Sequence, residues 1–322
     1  MYQATPRVAD DVEIQFAIAE HQSRDELAAC LGLPQAAIPP KYFYDIQGSK
    51  LFEAICALDE YYLARTEFEI FGQHGAAIAA TAGQSATLID LGAGNCAKAA
   101  SLLGVLRPRS YVPVDISAAF LRQAVAPLMQ SFPDLPIHPV ELDFSEGFTL
   151  PPLVQALPRK LFFYPGSSLG NFAPQRALKF LRNIHAHGGD LLLGLDLVKD
   201  VAELEAAYSD ALGVTAAFNL NLLRHINRTL GSDFVLADWS HRAFFNAAHS
   251  RIEMHLQARR PCRVTWPGGA REFVQGETIQ TESCYKFTRE SVIDMLSRAG
   301  FGQVTCWSDP EQKFLVCHAQ AR

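Results

Sequence analysis

Uninterrupted apolar runs alternate with amphipathic stretches from about residue 65 to 198. The runs are "TLIDL" (87–91), "SYVPVD" (110–115), "LPIHPVEL" (135–142), "KLFFYP" (160–165) and "DLLLGLDL" (190–197). Strands buried on both faces read this way. Between them "AKAASLLGVL", "SAAFLRQAVAPLMQSF" and "PQRALKFLRNIHAH" carry helical periodicity. Apolar strands separated by amphipathic helices predict a parallel sheet covered on both sides.

The texture changes after residue 198. Residues 199–248 read as helices, with "AELEAAYSDALG" and "VTAAFNLNLLRHINRTLG" each closed by a glycine. "RIEMHLQAR" (251–259), "CRVTWPGGAREFV" and "ETIQTESCYKF" alternate as strands, with "PGG" as a hairpin turn. Beyond Phe287 the first texture returns: a helix over 288–299, then strands "QVTCWSD" and "KFLVCHAQ". The expected architecture is α/β, a doubly wound domain of residues 66–198 and 286–322. A second, α+β lobe is expected from residues 10–65 and 199–285.

Composition narrows the function. The 322 residues are 49% hydrophobic and 19% charged, a globular balance with material for a large core. A net charge of -6 supplies no basic field for nucleic acid. Seven cysteines are scattered, odd in number and without a CxxC pair. That favours reduced thiols in the cytoplasm over a disulfide framework or a zinc site. "MYQATPRVADDVEIQFAIAE" lacks the basic head and apolar stretch of a signal peptide, and "LLLGLDLV" is too short to span a bilayer. A cytoplasmic protein with no membrane partner is expected.

"LIDLGAGNCAK" (88–98) follows the first strand and opens a helix. Gly92 and Gly94 let backbone approach a ligand, and the helix start offers N–H donors. Asp115 ends the second strand about 20 residues further on, where an acid accepts from ribose hydroxyls. Asp143 and Phe144 end the third strand, an acid for an exocyclic amine beside a ring that stacks on a base. The third glycine of a dinucleotide fingerprint is missing, although a dehydrogenase stays open. Asp90, Gly92 and Gly94 in D-x-G-x-G, with a closing strand pair after the last helix, resemble a class I (Rossmann-like) S-adenosylmethionine-dependent methyltransferase, whose last strand is antiparallel. Lys98 in the helix's first turns could meet the methionine carboxylate, or stand as a solvated surface lysine.

Longer runs carry a more specific resemblance: "YFYDIQGSKLFEAICALDEYYLARTE" (42–67), "LGAGNCAK", "VPVDIS", "FYPGSSLGNF" (163–172), "LLLGLDLVKD" (191–200), "EAAYSDALGVTAAFNLNLL" (205–223), "RIEMHL" and "TESCYKF". Together they resemble the histidine Nα-methyltransferase family of ergothioneine biosynthesis, which forms hercynine. The resemblance implies an amino acid bound between two lobes and S-adenosylmethionine as methyl donor, with S-adenosylhomocysteine as product. It also implies no metal, and a monomer. It places Tyr44 and Gly166 near the amino group, and Asn171 and Tyr208 at the carboxylate. Tyr61, Met254 and Glu282 surround the imidazole. Gly92, Lys98, Asp115, Asp143 and Phe144 serve the cofactor.

Several of these residues keep structural alternatives. Asn171 could N-cap the helix at "APQRALKF", Tyr208 could be a core aromatic, and Met254 core filler. Tyr61 and Tyr62 are adjacent, so both cannot face one pocket. Tyr44 and Asn171 are the candidate catalytic residues, Tyr44 through a hydrogen bond to the amine. Glu282 accepts an imidazole N–H that an aliphatic substrate lacks. The family carries a serine two residues after this glutamate. Here that position is Cys284, on the same strand face as Glu282, while Ser283 faces away. A thiol bonds more weakly than a hydroxyl, so the same chemistry on another amino acid or a modified histidine stays open. So does an idle cofactor-binding module.

Overall fold

A computed structural model describes residues 22–144 and 147–321. The expected leaderless N-terminus and residues 10–21 of the expected second lobe lie outside the described residues. Helix α1 covers residues 22–32, followed by α2 (Ile46–Cys56) and α3 (Tyr62–Ala82). The alternating section then runs β1 (Thr87–Leu91), α4 (Ala97–Leu106), β2 (Ser110–Asp115), α5 (Ala118–Ser131), β3 (Val140–Glu141), α6 (Pro152–Gln155), β4 (Lys160–Tyr164), α7 (Pro174–Ala186) and β5 (Gly189–Asp196). The intervening segment holds α8 (Val201–Ala206), α9 (Val214–Leu230), β6 (Trp239–Asn246), β7 (Arg251–Ala258), β8 (Cys262–Trp266), β9 (Gly269–Phe273) and β10 (Thr278–Tyr285). The chain closes with α10 (Arg289–Ala299), β11 (Phe301–Ser308) and β12 (Phe314–Ala321).

The main sheet has the order β11-β12-β5-β4-β1-β2-β3. β1 to β5 pair in parallel, and β12 runs antiparallel between β5 and β11. Chain order reverses between β1 and β4, so the crevice at their C-terminal ends is the ligand edge of this doubly wound sheet. Alternation along the strands fills two cores. Ile89, Phe162, Leu191 and Leu193 pack on one face. Leu88, Phe163 and Leu192 pack on the other, in a cluster continuous with Phe43, Phe218, Met254 and Leu256. One face of the sheet therefore shares its core with the elements from outside it.

Those elements form an antiparallel sheet, β10-β7-β6, and a β8–β9 hairpin. The chain leaves the main sheet after β5 and returns before α10 at one place. There Val198 N–H donates to Phe287 C=O, and Phe287 N–H to Asp196 C=O.

Three expectations need correction. The third strand is only Val140–Glu141, with an isolated bridge at Ile137, because Pro136 and Pro139 have no N–H for the ladder. Residues 239–246, expected within a helical region, form β6. The helix expected over "AELEAAYSDALG" stops at Ala206. Its Asp210 turns instead to the next helix, accepting from Val214 N–H (2.9 Å) and Thr215 N–H (2.7 Å) at the start of α9.

Candidate active site

The loop after β1 bends through left-handed backbone at Gly92 (φ 74°) and Gly94 (φ 54°), where a side chain would be strained. Gly94 N–H donates to Asp115 Oδ2 (2.9 Å) and Ser117 N–H to Asp115 Oδ1 (3.0 Å). The carboxylate thus ties the ends of β1 and β2 together. Asp90 is buried beneath them. Tyr111 donates to its Oδ2 (2.8 Å), and Oδ1 has no partner among the described residues. Burial pushes the Asp90 carboxyl up to about 7. Phe144 packs among Phe148, Tyr164 and Phe180, and its ring lies 3.6 Å from where a Gly92 side chain would begin. Asp143 pairs with Lys41 at 3.3 Å. Left-handed glycines, an orphaned buried acceptor and a fixed carboxylate fit the S-adenosylmethionine that the sequence implies.

Lys98 is not a solvated surface residue. Its ammonium lies 2.6 Å from Glu67, a fully buried acid of α3 that sequence reasoning missed. Glu67 also accepts from Gly166 N–H at 2.9 and 3.0 Å. Glu67 therefore clamps Lys98 of α4 to the loop after β4. A side chain at Gly166 would come 2.8 Å from the Lys98 ammonium.

Gly166 also lines a cavity, which brings together all eight expected substrate residues: Tyr44, Tyr61, Gly166, Asn171, Tyr208, Met254, Glu282 and Cys284. Tyr44 follows a 3₁₀ turn, Pro40–Phe43, and Tyr61 is the N-cap of α3. Asn171 ends a second turn, Ser168–Asn171. Phe52 and Phe218, not foreseen from the sequence, complete an aromatic wall with Tyr44, Tyr61 and Tyr208 at ring spacings of 5.8–6.1 Å. Tyr62 turns away, its hydroxyl 2.8 Å from Asp196 Oδ2.

Glu282 pairs with Met254 across β10 and β7, after a bulge between Gln280 and Glu282. The bulge resets strand alternation and aims Glu282 and Cys284 at the cavity. Ser283 faces the other side and takes a hydrogen bond from Gln280 (2.9 Å). Protein surrounds Glu282 although the cavity leaves its carboxyl partly accessible. Burial raises that carboxyl to about 7, against the pull of Lys286 and a hydrogen bond with the Asn171 side chain. Asn171 is thus not the cap of α7, whose N-cap is Ala173. Burial holds the Tyr44, Tyr61 and Tyr208 phenols well above the ordinary range, so they remain protonated. The Tyr208 hydroxyl lies 3.1 Å from Cys284 Sγ and 3.0 Å from the Lys286 ammonium.

Residues 23–321 match the family described as histidine-specific, S-adenosylmethionine-dependent methyltransferases. The chain is 40% identical to a histidine N-alpha-methyltransferase of Mycolicibacterium smegmatis, over 92% of this chain and 94% of that one. It is 39% identical to a histidine N-alpha-methyltransferase of Mycobacterium tuberculosis, over 86% and 88%. An ergothioneine biosynthesis protein 1 of Neurospora crassa is 28% identical over 98% of this chain and 37% of that longer protein.

Proposed function

We infer, from the premise that this chain belongs to the histidine-specific, S-adenosylmethionine-dependent methyltransferase family, that it methylates the α-amine of L-histidine three times to give hercynine. One observation carries the choice of substrate. The Glu282 carboxyl lies inside an aromatic cavity that shares Gly166 with the Lys98–Glu67 clamp at the cofactor edge. Beyond its bond with Asn171, this buried acceptor is satisfied by an imidazole N–H and gains no partner from an apolar side chain. Such a mismatch can cost about 10⁴–10⁵ in discrimination.

Bound at the β1–β4 edge, S-adenosylmethionine supplies a sulfonium methyl for in-line displacement by the amine. Gly92, Gly94, Asp90, Asp115, Asp143, Phe144 and Lys98 are the residues assigned to hold it. The chain's own task is to present a neutral amine lone pair, and positioning of that kind contributes roughly 7–11 kcal/mol. Asn171 and Tyr208 fix the substrate carboxylate, Gly166 lets the amine come close, and the protonated Tyr44 phenol hydrogen-bonds it. The amine loses its proton to water before transfer. Tyr61 and Met254 pack the imidazole, with Cys284 beside Glu282.

In this reading residues 66–198 and 286–322 hold the cofactor. The second lobe expected from residues 10–65 and 199–285, described over 22–65 and 199–285, takes the amino acid. The enzyme works as a cytoplasmic monomer. Purified protein with S-adenosylmethionine and each amino acid, followed by mass spectrometry, tests it. Three methyls on histidine are expected. Turnover of a different amino acid alone would replace histidine as substrate, and no turnover of any amine would leave an idle binding module.

A further inference from the structure

Lys286 follows β10 directly, and alternation puts it on the side of Glu282 and Cys284. Its side chain is fully buried. The ammonium lies 2.8 Å from Asp196 Oδ2, 3.0 Å from the Tyr208 hydroxyl and 3.3 Å from Cys284 Sγ. Burial alone would push this ammonium down. Asp196, aided by Cys284 and Tyr62, outweighs burial and holds it above the ordinary lysine range. Lys199 and the Tyr62 hydroxyl converge on the same Asp196 carboxylate. The lysine is therefore a charged group anchored from behind, with its front against two residues of the cavity wall.

An ammonium has three donors and no acceptor, and all three of these have partners. Wherever it meets a hydroxyl or thiol, the oxygen or sulfur must accept. Tyr208 has one proton, which is then free only to point elsewhere, in this structure at Cys284 Sγ (3.1 Å). That sulfur faces two donors, so its own proton turns from both, toward the cavity it lines. We propose that Lys286 is a positioning residue that sets the hydrogen-bond polarity of this wall: it donates to both Tyr208 and Cys284, so the one Tyr208 proton serves either Cys284 Sγ or a bound carboxylate, and the thiol proton is left for the bound amino acid.

This rests on the amino-acid reading above and deepens it. A substrate carboxylate only accepts; on binding, the Tyr208 proton swings to it from Cys284 Sγ, while Lys286 keeps its own bonds to the phenol oxygen and the sulfur. The ammonium behind that phenol polarises it and strengthens its bond. An imidazole ring has one N–H and one lone pair when neutral. Glu282 takes the first and the thiol offers its proton to the second. A wall of fixed polarity thus selects the neutral ring in one orientation, and compensates for the weakness of a thiol as donor. Without Lys286 the Tyr208 oxygen could accept from the substrate's ammonium and hold the amine at the wrong end.

Calorimetric titration of histidine and of S-adenosylhomocysteine, each into wild type and variants, tests this. Lys286→Gln keeps a polar side chain but adds an acceptor. It is expected to weaken histidine by about 10–100-fold and leave S-adenosylhomocysteine affinity unchanged. Lys286→Arg, again donor-only, is expected to recover most of the loss. In a Tyr208→Phe background the glutamine change is expected to cost less, because its target is gone. If Lys286→Gln does not fold, Lys286→Met takes its place: Asp196 keeps Lys199 and the Tyr62 hydroxyl as partners, so no buried charge is left unpaired. That variant is expected to show the same selective loss of histidine. Equal loss for both ligands, or equal effects of glutamine and arginine, would overturn the inference. Wild type that binds S-adenosylhomocysteine but not histidine would overturn the substrate assignment and this inference with it. Histidine binding that survives Lys286→Gln overturns this inference alone.

Discussion

Glu282 illustrates what one side chain can decide. Its carboxyl is joined to Asn171, and the residue lines the cavity. Glu282→Leu should raise the KM for histidine about 100-fold and collapse its advantage over phenylalanine. Steady-state kinetics with both amino acids check this; an unchanged ratio would mean the acid reads nothing. The sequence pointed to this residue because strand alternation and the family motif agree there. It could not show Glu67, whose partner Gly166 is 99 positions away. Nor could it show why Lys286 matters, since Asp196 and Tyr208 approach it only through the fold. A lone buried acid on a helix looks in one dimension like any amphipathic helix residue.

Elements position these side chains, and their legibility follows local physics. β1, β2 and α4 keep the bounds their apolar runs suggest, because burial on both faces leaves one period and no competitor. β3 shrank where prolines interrupt the ladder, and β6 was hidden because its alternation follows a long helical pattern. Between elements, β5 meets α3 at Gly194, where an added Cβ would fall 1.9 Å from Glu67 Oε1. Gly194→Ala should therefore dislodge Glu67 from Lys98 and Gly166, weakening S-adenosylhomocysteine binding about 10-fold by calorimetry. Retained affinity would show that the clamp is dispensable. Thr288→Ala provides the contrast. Thr288 and Ser291 form a capping box on α10, away from the cavity. Its loss should cost about 1 kcal/mol in denaturant unfolding and leave KM for histidine unchanged.

For the whole molecule, the buried acids shape stability against pH. Glu282 and Asp90 hold their protons to about 7, from ordinary values of 4.5 and 3.8. Across that window the folded state binds more protons than the unfolded state, so their contribution is lost as pH rises. His241 and His255 act in the opposite sense: burial lowers both below 6.5, so their share is lost as pH falls through that range. Glu282→Gln removes one acid from this balance. Its denaturation midpoint relative to wild type should climb between pH 4.5 and 7 and then level off. A difference independent of pH would show that Glu282 is not forced to keep its proton. Val198 and Phe287 pair where the chain departs from the main sheet and rejoins it. To the sheet, all that lies between is a single excursion tied off at its base. A different recognition module could be spliced in at that base without re-threading any strand. The methyl-donor edge would stay as it is, provided the newcomer brought its own cation for Asp196.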